Sequence, residues 1–200
     1  MPVVLDEAIQ SPAAPHPKRK PLTREECAAL EQTCLWEGKH FELIEGELID
    51  KRGKNQPHVL ALRRIVHQLE QIFTWILVFQ EAPIDVAPED HPTSEPEPDV
   101  FVLKRPFPEL NREQPKPADL ALVVEIADST LAFDTTTKAA LYARAQIPEY
   151  WVLDLKGRRL IVQLNPSGEV YKSVVANFPD ERVAPQTAPG REILVSDLLD

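Results

Sequence analysis

Glu125 stands near the end of the apolar run Leu120-Ala121-Leu122-Val123-Val124-Glu125-Ile126, with Asp99 upstream in a Pro98-Asp99 step and Lys138 downstream. A run this apolar predicts a central strand buried on both faces. A carboxylate there is strongly destabilising unless a cation, a metal or hydrogen bonds compensate it. Alternation puts Glu125 on one strand face with Val123 and Ala121, and Asp99 on one face with Phe101 and Leu103. If the two strands are neighbours, both carboxylates reach one point near the sheet edge. Two carboxylates with few other ligands suit a hard cation such as Mg²⁺ or Mn²⁺, which keeps waters for a substrate and a nucleophile. They suit zinc poorly, because no histidine or cysteine cluster accompanies them.

Lys138 belongs to the same argument. Asp134, Lys138, Leu141, Tyr142 and Ala145 recur at i, i+4, i+7, i+8 and i+11 and share one helix face, the one that turns toward the sheet. An ammonium on that face needs an acidic partner, and Glu125 or an anionic substrate is the candidate. Asp134, one turn earlier, either orients the lysine or caps the helix, with capping favoured. His58 lies on the inward stripe of another helix with Leu62, Ile65 and Leu69, while His67 points away.

The elements that must position these groups follow from periodicity. Thr23 caps a helix to about Leu35, with Glu25 and Glu26 in its first turn. Residues 41–49 read as a hairpin or a bent strand pair turning near Glu45-Gly46. Pro57 opens a long helix to about Trp75 whose Leu62, Ile65, Val66, Leu69, Ile72 and Phe73 keep helical spacing. Strands are predicted over 76–86, 100–103 and 120–126, a helix over 135–146, and strands over 149–155, 158–164 and 170–176, the last two joined by a turn at 165–168. Residues 192–199 add a strand or a helical turn. The class is α+β, a mixed sheet flanked by helices.

The chain has 200 residues, 43% apolar and 27% charged, in the range of a globular domain with a real core. No apolar run approaches the roughly 20 residues that cross a bilayer. Residues 1–21 carry Pro2, Pro12, Pro15, Pro17 and Pro21 and read as a disordered tail, leaving one domain over 22–200. Cys27 and Cys34, seven apart on the first helix, fit buried thiols in a reducing compartment, so cytoplasm is the expected location. With 32 acids against 22 bases the net charge is −10, which argues against a long nucleic-acid footprint. Bases gather instead at Lys51-Arg52-Gly53-Lys54, Arg63-Arg64 and Arg158-Arg159.

Each signal also has a purely structural reading. A buried Asp–Glu–Lys cluster can be an ion-pair network, His58 a hydrogen-bonded core histidine, Glu42 and Glu47 the polar side of a hairpin, and the basic stretch at 51–54 a solvated turn. From the residues alone both readings stay open.

Taken together, Phe-Glu-Leu-Ile-Glu-Gly-Glu (41–47), His58, Glu-Pro-Asp-Val (97–100), Leu-Val-Val-Glu-Ile (122–126), Asp134, Lys138, Tyr142 and Ile-Pro-Glu-Tyr-Trp-Val-Leu-Asp (147–154) resemble the Uma-type restriction-endonuclease family of bacteria. The resemblance spans about residues 22–199. It implies the PD-(D/E)xK superfamily's restriction-endonuclease-like core with a divalent metal between Asp99 and Glu125. It also implies the carbonyl of Ile126 as a further metal ligand, Glu42 as an extra carboxylate, His58 as a site residue, and Lys138 as the group that positions water and stabilises charge on phosphate. The superfamily's lysine two residues after the glutamate is Ala127 here, so the following helix supplies it. The implied function is a Mg²⁺- or Mn²⁺-dependent endonuclease acting on nucleic acid, expected to be DNA, plausibly as a homodimer and with no membrane partner. The alternative is a non-catalytic nucleic-acid- or protein-binding module on the same fold. The basic turn at Lys51 to Lys54 is the expected phosphate contact.

Overall fold

The computed structural model describes residues 19–33, 40–51, 55–110 and 113–199. Residues 1–18 of the expected tail, Cys34, Leu35 and residues 52–54 of the basic turn lie outside the described residues.

Thr23 closes a capping box on helix α1 (Arg24–Glu31): its hydroxyl accepts from the Glu26 amide at 3.2 Å and the Glu26 carboxylate accepts from the Thr23 amide at 3.1 Å. A separate antiparallel hairpin follows, β1 (Phe41–Ile44) and β2 (Glu47–Asp50). Its two turn residues, Glu45 and Gly46, both take positive φ, 51° and 81°, as a two-residue turn matched to strand twist requires. Gly46 also lies under the incoming chain. A Cβ built there would sit 2.2 Å from the Cβ of Pro21, and its carbonyl accepts from the Leu22 amide at 3.0 Å. Gly46→Ala is therefore expected to lower unfolding free energy by about 2 kcal/mol or more, read by urea denaturation; a loss below the usual surface-mutation range would show that the crossing relaxes freely.

Asn55 caps α2 (Gln56–Phe73) by accepting from the His58 amide at 3.0 Å, with Pro57 in the first turn. Its Ala61, Leu62, Ile65 and Leu69 are buried on one face of the main sheet. That sheet has six strands in the order β3 (Val78–Gln80), β4 (Val100–Leu103), β5 (Leu120–Ala127), β6 (Glu149–Asp154), β7 (Arg159–Ser167), β8 (Val170–Asn177). Only the central β5–β6 pair is parallel. The segment crossing between them covers the other face: α3 (Leu131–Phe133), a π-helical turn (Asp134–Lys138) and α4 (Ala139–Arg144). A small pair, β9 (Arg182–Val183) and β10 (Ile193–Leu194), and the short α5 (Ser196–Leu199) close the chain against α2, so residues 192–199 supply both a strand and a helical turn. Among the described residues no helix is long and apolar enough to cross a membrane.

Four expectations need correction. The strand expected over 76–86 is only Val78–Gln80, because Glu81 turns to φ 51° and Pro83 has no amide to donate. The helix expected from 135 begins at Leu131 and contains a π turn. Asp134 is not its cap; it lies inside the helical segment, buried. The last hairpin turns at Gly168-Glu169 rather than over 165–168, since Pro166 and Ser167 still pair with β8.

Candidate active site

All eight residues of β5 are buried, as an apolar run between two helical layers must be. β4 runs antiparallel to it with Val100 opposite Val124 and Phe101 opposite Val123, so Asp99, the residue just before β4, arrives beside Glu125 and Ile126 at the end of β5. The start of one strand thus meets the end of the next at the sheet edge. Ala121 does not share the Glu125 face. Pairing slips between Val102 and Leu103, the extra residue forms a bulge, and Ala121 joins the α2-side core while Val123 stays on the α4 side.

Four elements deliver the remaining groups. The π turn carries Lys138, whose ammonium lies 2.9 Å from Glu125 Oε1 and 2.9 Å from Glu42 Oε1. Glu42 arrives on β1, and its other oxygen accepts from the Glu97 amide at 3.2 Å. Tyr142, on α4, donates to Glu125 Oε1 at 2.9 Å. Asp99 accepts from the Ile126 amide at 2.8 Å, and the first turn of α2 brings His58 Nε2 to 3.2 Å from its other oxygen. That contact lacks hydrogen-bond alignment, so this buried ring nitrogen is left without a hydrogen bond. Glu42, His58, Asp99, Glu125, Ile126 and Lys138 all line one open cleft of about 390 Å³.

A family profile described as "Putative restriction endonuclease" (Uma2) matches residues 25–196. The chain belongs to the Uma2 family. Among solved structures, one titled a putative nuclease of DUF820 from Anabaena variabilis is similar to this Uma2 chain with a TM-score of 0.66 at 18% identity, over 89% of this chain and 97% of that one. At that identity the likeness shows the fold, the α+β nuclease-like sheet expected from the sequence. No curated protein matches the sequence.

The electrostatics of the Uma2 cleft are set by a shortage of cations. Glu42, Asp99, Glu125 and Asp134 are each about 5% exposed or less and face one ammonium, Lys138, at 3%. Burial pushes Glu125 up to about 8. Lys138 opposes this, but Asp99, Asp134 and Glu42 add to it. A carboxylate in a simple ion pair would shift down; here one lysine is divided among several acids, so the upward direction holds. Burial acts to lower the Lys138 ammonium, yet Glu125, Glu42 and Asp134 outweigh it and hold the lysine charged. Asp134 is raised to about 6, mainly by burial, with Lys138 and a 2.5 Å hydrogen bond from Thr130 pulling the other way.

Such a site can take up a proton or a cation. Its donors are carboxylate and carbonyl oxygens beside open space, and among the described residues no group of three or more His, Cys, Asp or Glu side chains is arranged to hold a metal ion, so any ion would rest on two carboxylates, a carbonyl and water. The set fits a hard divalent ion that keeps most of its waters and does not fit zinc. Sequence reasoning placed Tyr142 on the correct stripe but gave it no partner. It missed the rim, where Asn55 donates to Asp128 at 2.6 Å, because both residues sit in connections without periodicity. Lys51, expected to meet phosphate, spends its ammonium on the Glu97 carbonyl at 2.6 Å and the Glu97 carboxylate at 3.4 Å.

Proposed function

We propose that this Uma2 protein is a divalent-metal-dependent phosphodiester hydrolase, specifically a DNA endonuclease. The observation that carries the reading is Asp99, bonded to the Ile126 amide, lining one open cleft with Glu125, whose carboxylate lies 2.9 Å from the Lys138 ammonium. Membership of a family described as restriction endonucleases and the nuclease-like fold support it.

Asp99, Glu125 and the main-chain carbonyl of Ile126 would hold Mg²⁺ or Mn²⁺. When bound, such an ion lowers the pKa of a water and offsets charge on the phosphate. Lys138 supplies a fixed positive charge where negative charge grows on the phosphate oxygens. Glu42 holds the same ammonium at 2.9 Å, and Tyr142 fixes the Glu125 carboxylate. His58 stands beside Asp99 on the α2 side, its Nε2 3.2 Å from the carboxylate. Together these effects must lower a phosphodiester barrier by something on the order of 15–20 kcal/mol. Cutting both strands of a duplex calls for two sites related by a two-fold axis, so the reading includes a homodimer, working in the cytoplasm.

The net charge of −10 favours a second reading, a non-catalytic binding module on the same fold. Incubating supercoiled plasmid and single-stranded oligonucleotide with the protein in Mg²⁺, Mn²⁺ or EDTA separates them. Cleavage that needs the metal is expected. Binding without cleavage in either metal selects the second reading, and calorimetry showing no metal uptake removes the first.

A further inference from the structure

The geometry points to the turn between β6 and β7, residues 155–158, as a phosphate-binding element of the cleft, and we propose that Lys156 and Arg158 contact the nucleic-acid backbone there. This rests on the nuclease reading above and names where its substrate is gripped.

Topology sets the position. β5 and β6 are parallel, so both end at the same edge of the sheet, with Ala127 opposite Asp154 and the Leu155 amide donating to the Ala127 carbonyl at 3.0 Å. The residues following β5 line the cleft, and the turn following β6 stands beside them. Lys156 reaches over: its ammonium lies 3.8 Å from Asp128 Oδ1, while the other Asp128 oxygen accepts from Asn55 across the rim. The lysine side chain is 70% exposed, so its charge faces whatever enters.

The turn is also anchored to the sheet by hydrogen bonds. Buried Asp154 accepts from the Gly157 amide at 2.8 Å and from Arg159 Nε at 2.9 Å. A Cβ at Gly157 would sit 2.2 Å from Asp154 Oδ2, so any side chain there would displace the carboxylate that anchors the turn. The exposed Arg158 is then held at φ 47°, a left-handed conformation that glycine or asparagine adopts with less strain. Holding a long cation at such a position costs stability, and strain of this kind concentrates at functional sites.

Charge supplies the need. The cleft floor holds four buried carboxylates against one lysine, on a chain of net charge −10. A polyanion approaching it gains from cations on the rim that meet its phosphates, which dominate nucleic-acid affinity. Lys51, on the cleft wall, is already committed to Glu97.

The test is fluorescence anisotropy of a labelled DNA duplex in Ca²⁺, titrated with the full chain over a range of salt. Lys156→Ala/Arg158→Ala should bind on the order of tenfold more weakly or worse, with the slope of log K against log salt shallower by about two. Lys172→Ala, an exposed lysine on the edge strand β8, should leave the slope unchanged. Arg158→Gly guards against a folding artefact, because it should raise the melting temperature while weakening binding. Wild-type affinity and slope in the double variant overturn this assignment and leave the nuclease reading intact. A wild type that binds no duplex even at low salt and cuts none in Mg²⁺ or Mn²⁺ overturns both.

Discussion

Lys138→Met is expected to reduce plasmid cleavage by about a thousandfold or more, the scale for deleting one preorganised charge that stabilises the transition state. It should also lower unfolding free energy at pH 7.5 by about 3–5 kcal/mol, because breaking a buried charge cluster leaves the unpartnered charges behind. The two losses have one cause. The ammonium lies 2.9 Å from both Glu42 and Glu125, and without it those carboxylates and Asp134, each about 5% exposed or less, confront each other with no cation between them. Stability loss therefore does not distinguish a catalytic lysine from a structural one. Glu125→Gln does. It keeps the shape and removes an acid that is hard to ionise in the metal-free chain, so the variant should be as stable as wild type, or more so, yet fail to cleave. Single-turnover nicking rates beside urea denaturation read both quantities. Cleavage by Lys138→Met within tenfold of wild type would remove the lysine from the mechanism.

How much of this was legible in the residues depends on the kind of signal. The run from Leu120 to Ile126 announced a doubly buried strand with a misplaced acid, and the helical stripe announced Lys138 beneath it; both are short-range patterns. That Asp99 arrives beside Glu125 was conditional on β4 pairing with β5, a non-local choice that no period encodes. The same strand defeated strict alternation at Ala121, because a bulge is a property of the pair rather than of either sequence. Asp134 looked like a helix cap because aspartate favours that place, but the helix begins a turn earlier and Thr130 hydrogen-bonds the buried carboxylate. Glu42 belongs to a hairpin outside the main sheet, and only the family resemblance linked it to the site. Chemistry was written in residue types; its assembly was written in contacts between distant segments.

The metal-free chain should lose stability as pH rises from about 5 to about 8. Glu125 is held at about 8 in the folded state, against an ordinary glutamate value near 4.5 when unfolded, so over this window the native state binds the extra proton. Unfolding free energy then falls with increasing pH, fully favourable below the unfolded value and levelling off only above the folded one. Asp134, raised to about 6, adds the same sign in the lower part of the window. Lys138 contributes no slope there, since its ammonium is charged in both states up to about pH 10. Asp85 is lowered below its ordinary value: burial works to raise it, but His91, the Val86 amide and Arg24 prevail. It therefore acts with the opposite sign, but only below about pH 4. The total change is on the order of 4 kcal/mol, large enough for urea melts in EDTA at pH 5, 6, 7 and 8 to resolve. Adding Mg²⁺ or Mn²⁺ should stabilise far more at pH 8 than at pH 5, because the ion displaces the proton that burial had forced onto Glu125. A stability profile that stays flat or rises from pH 5 to 8 in EDTA would mean that Lys138 keeps Glu125 ionised throughout, and added metal would then stabilise the chain about equally at pH 5 and pH 8.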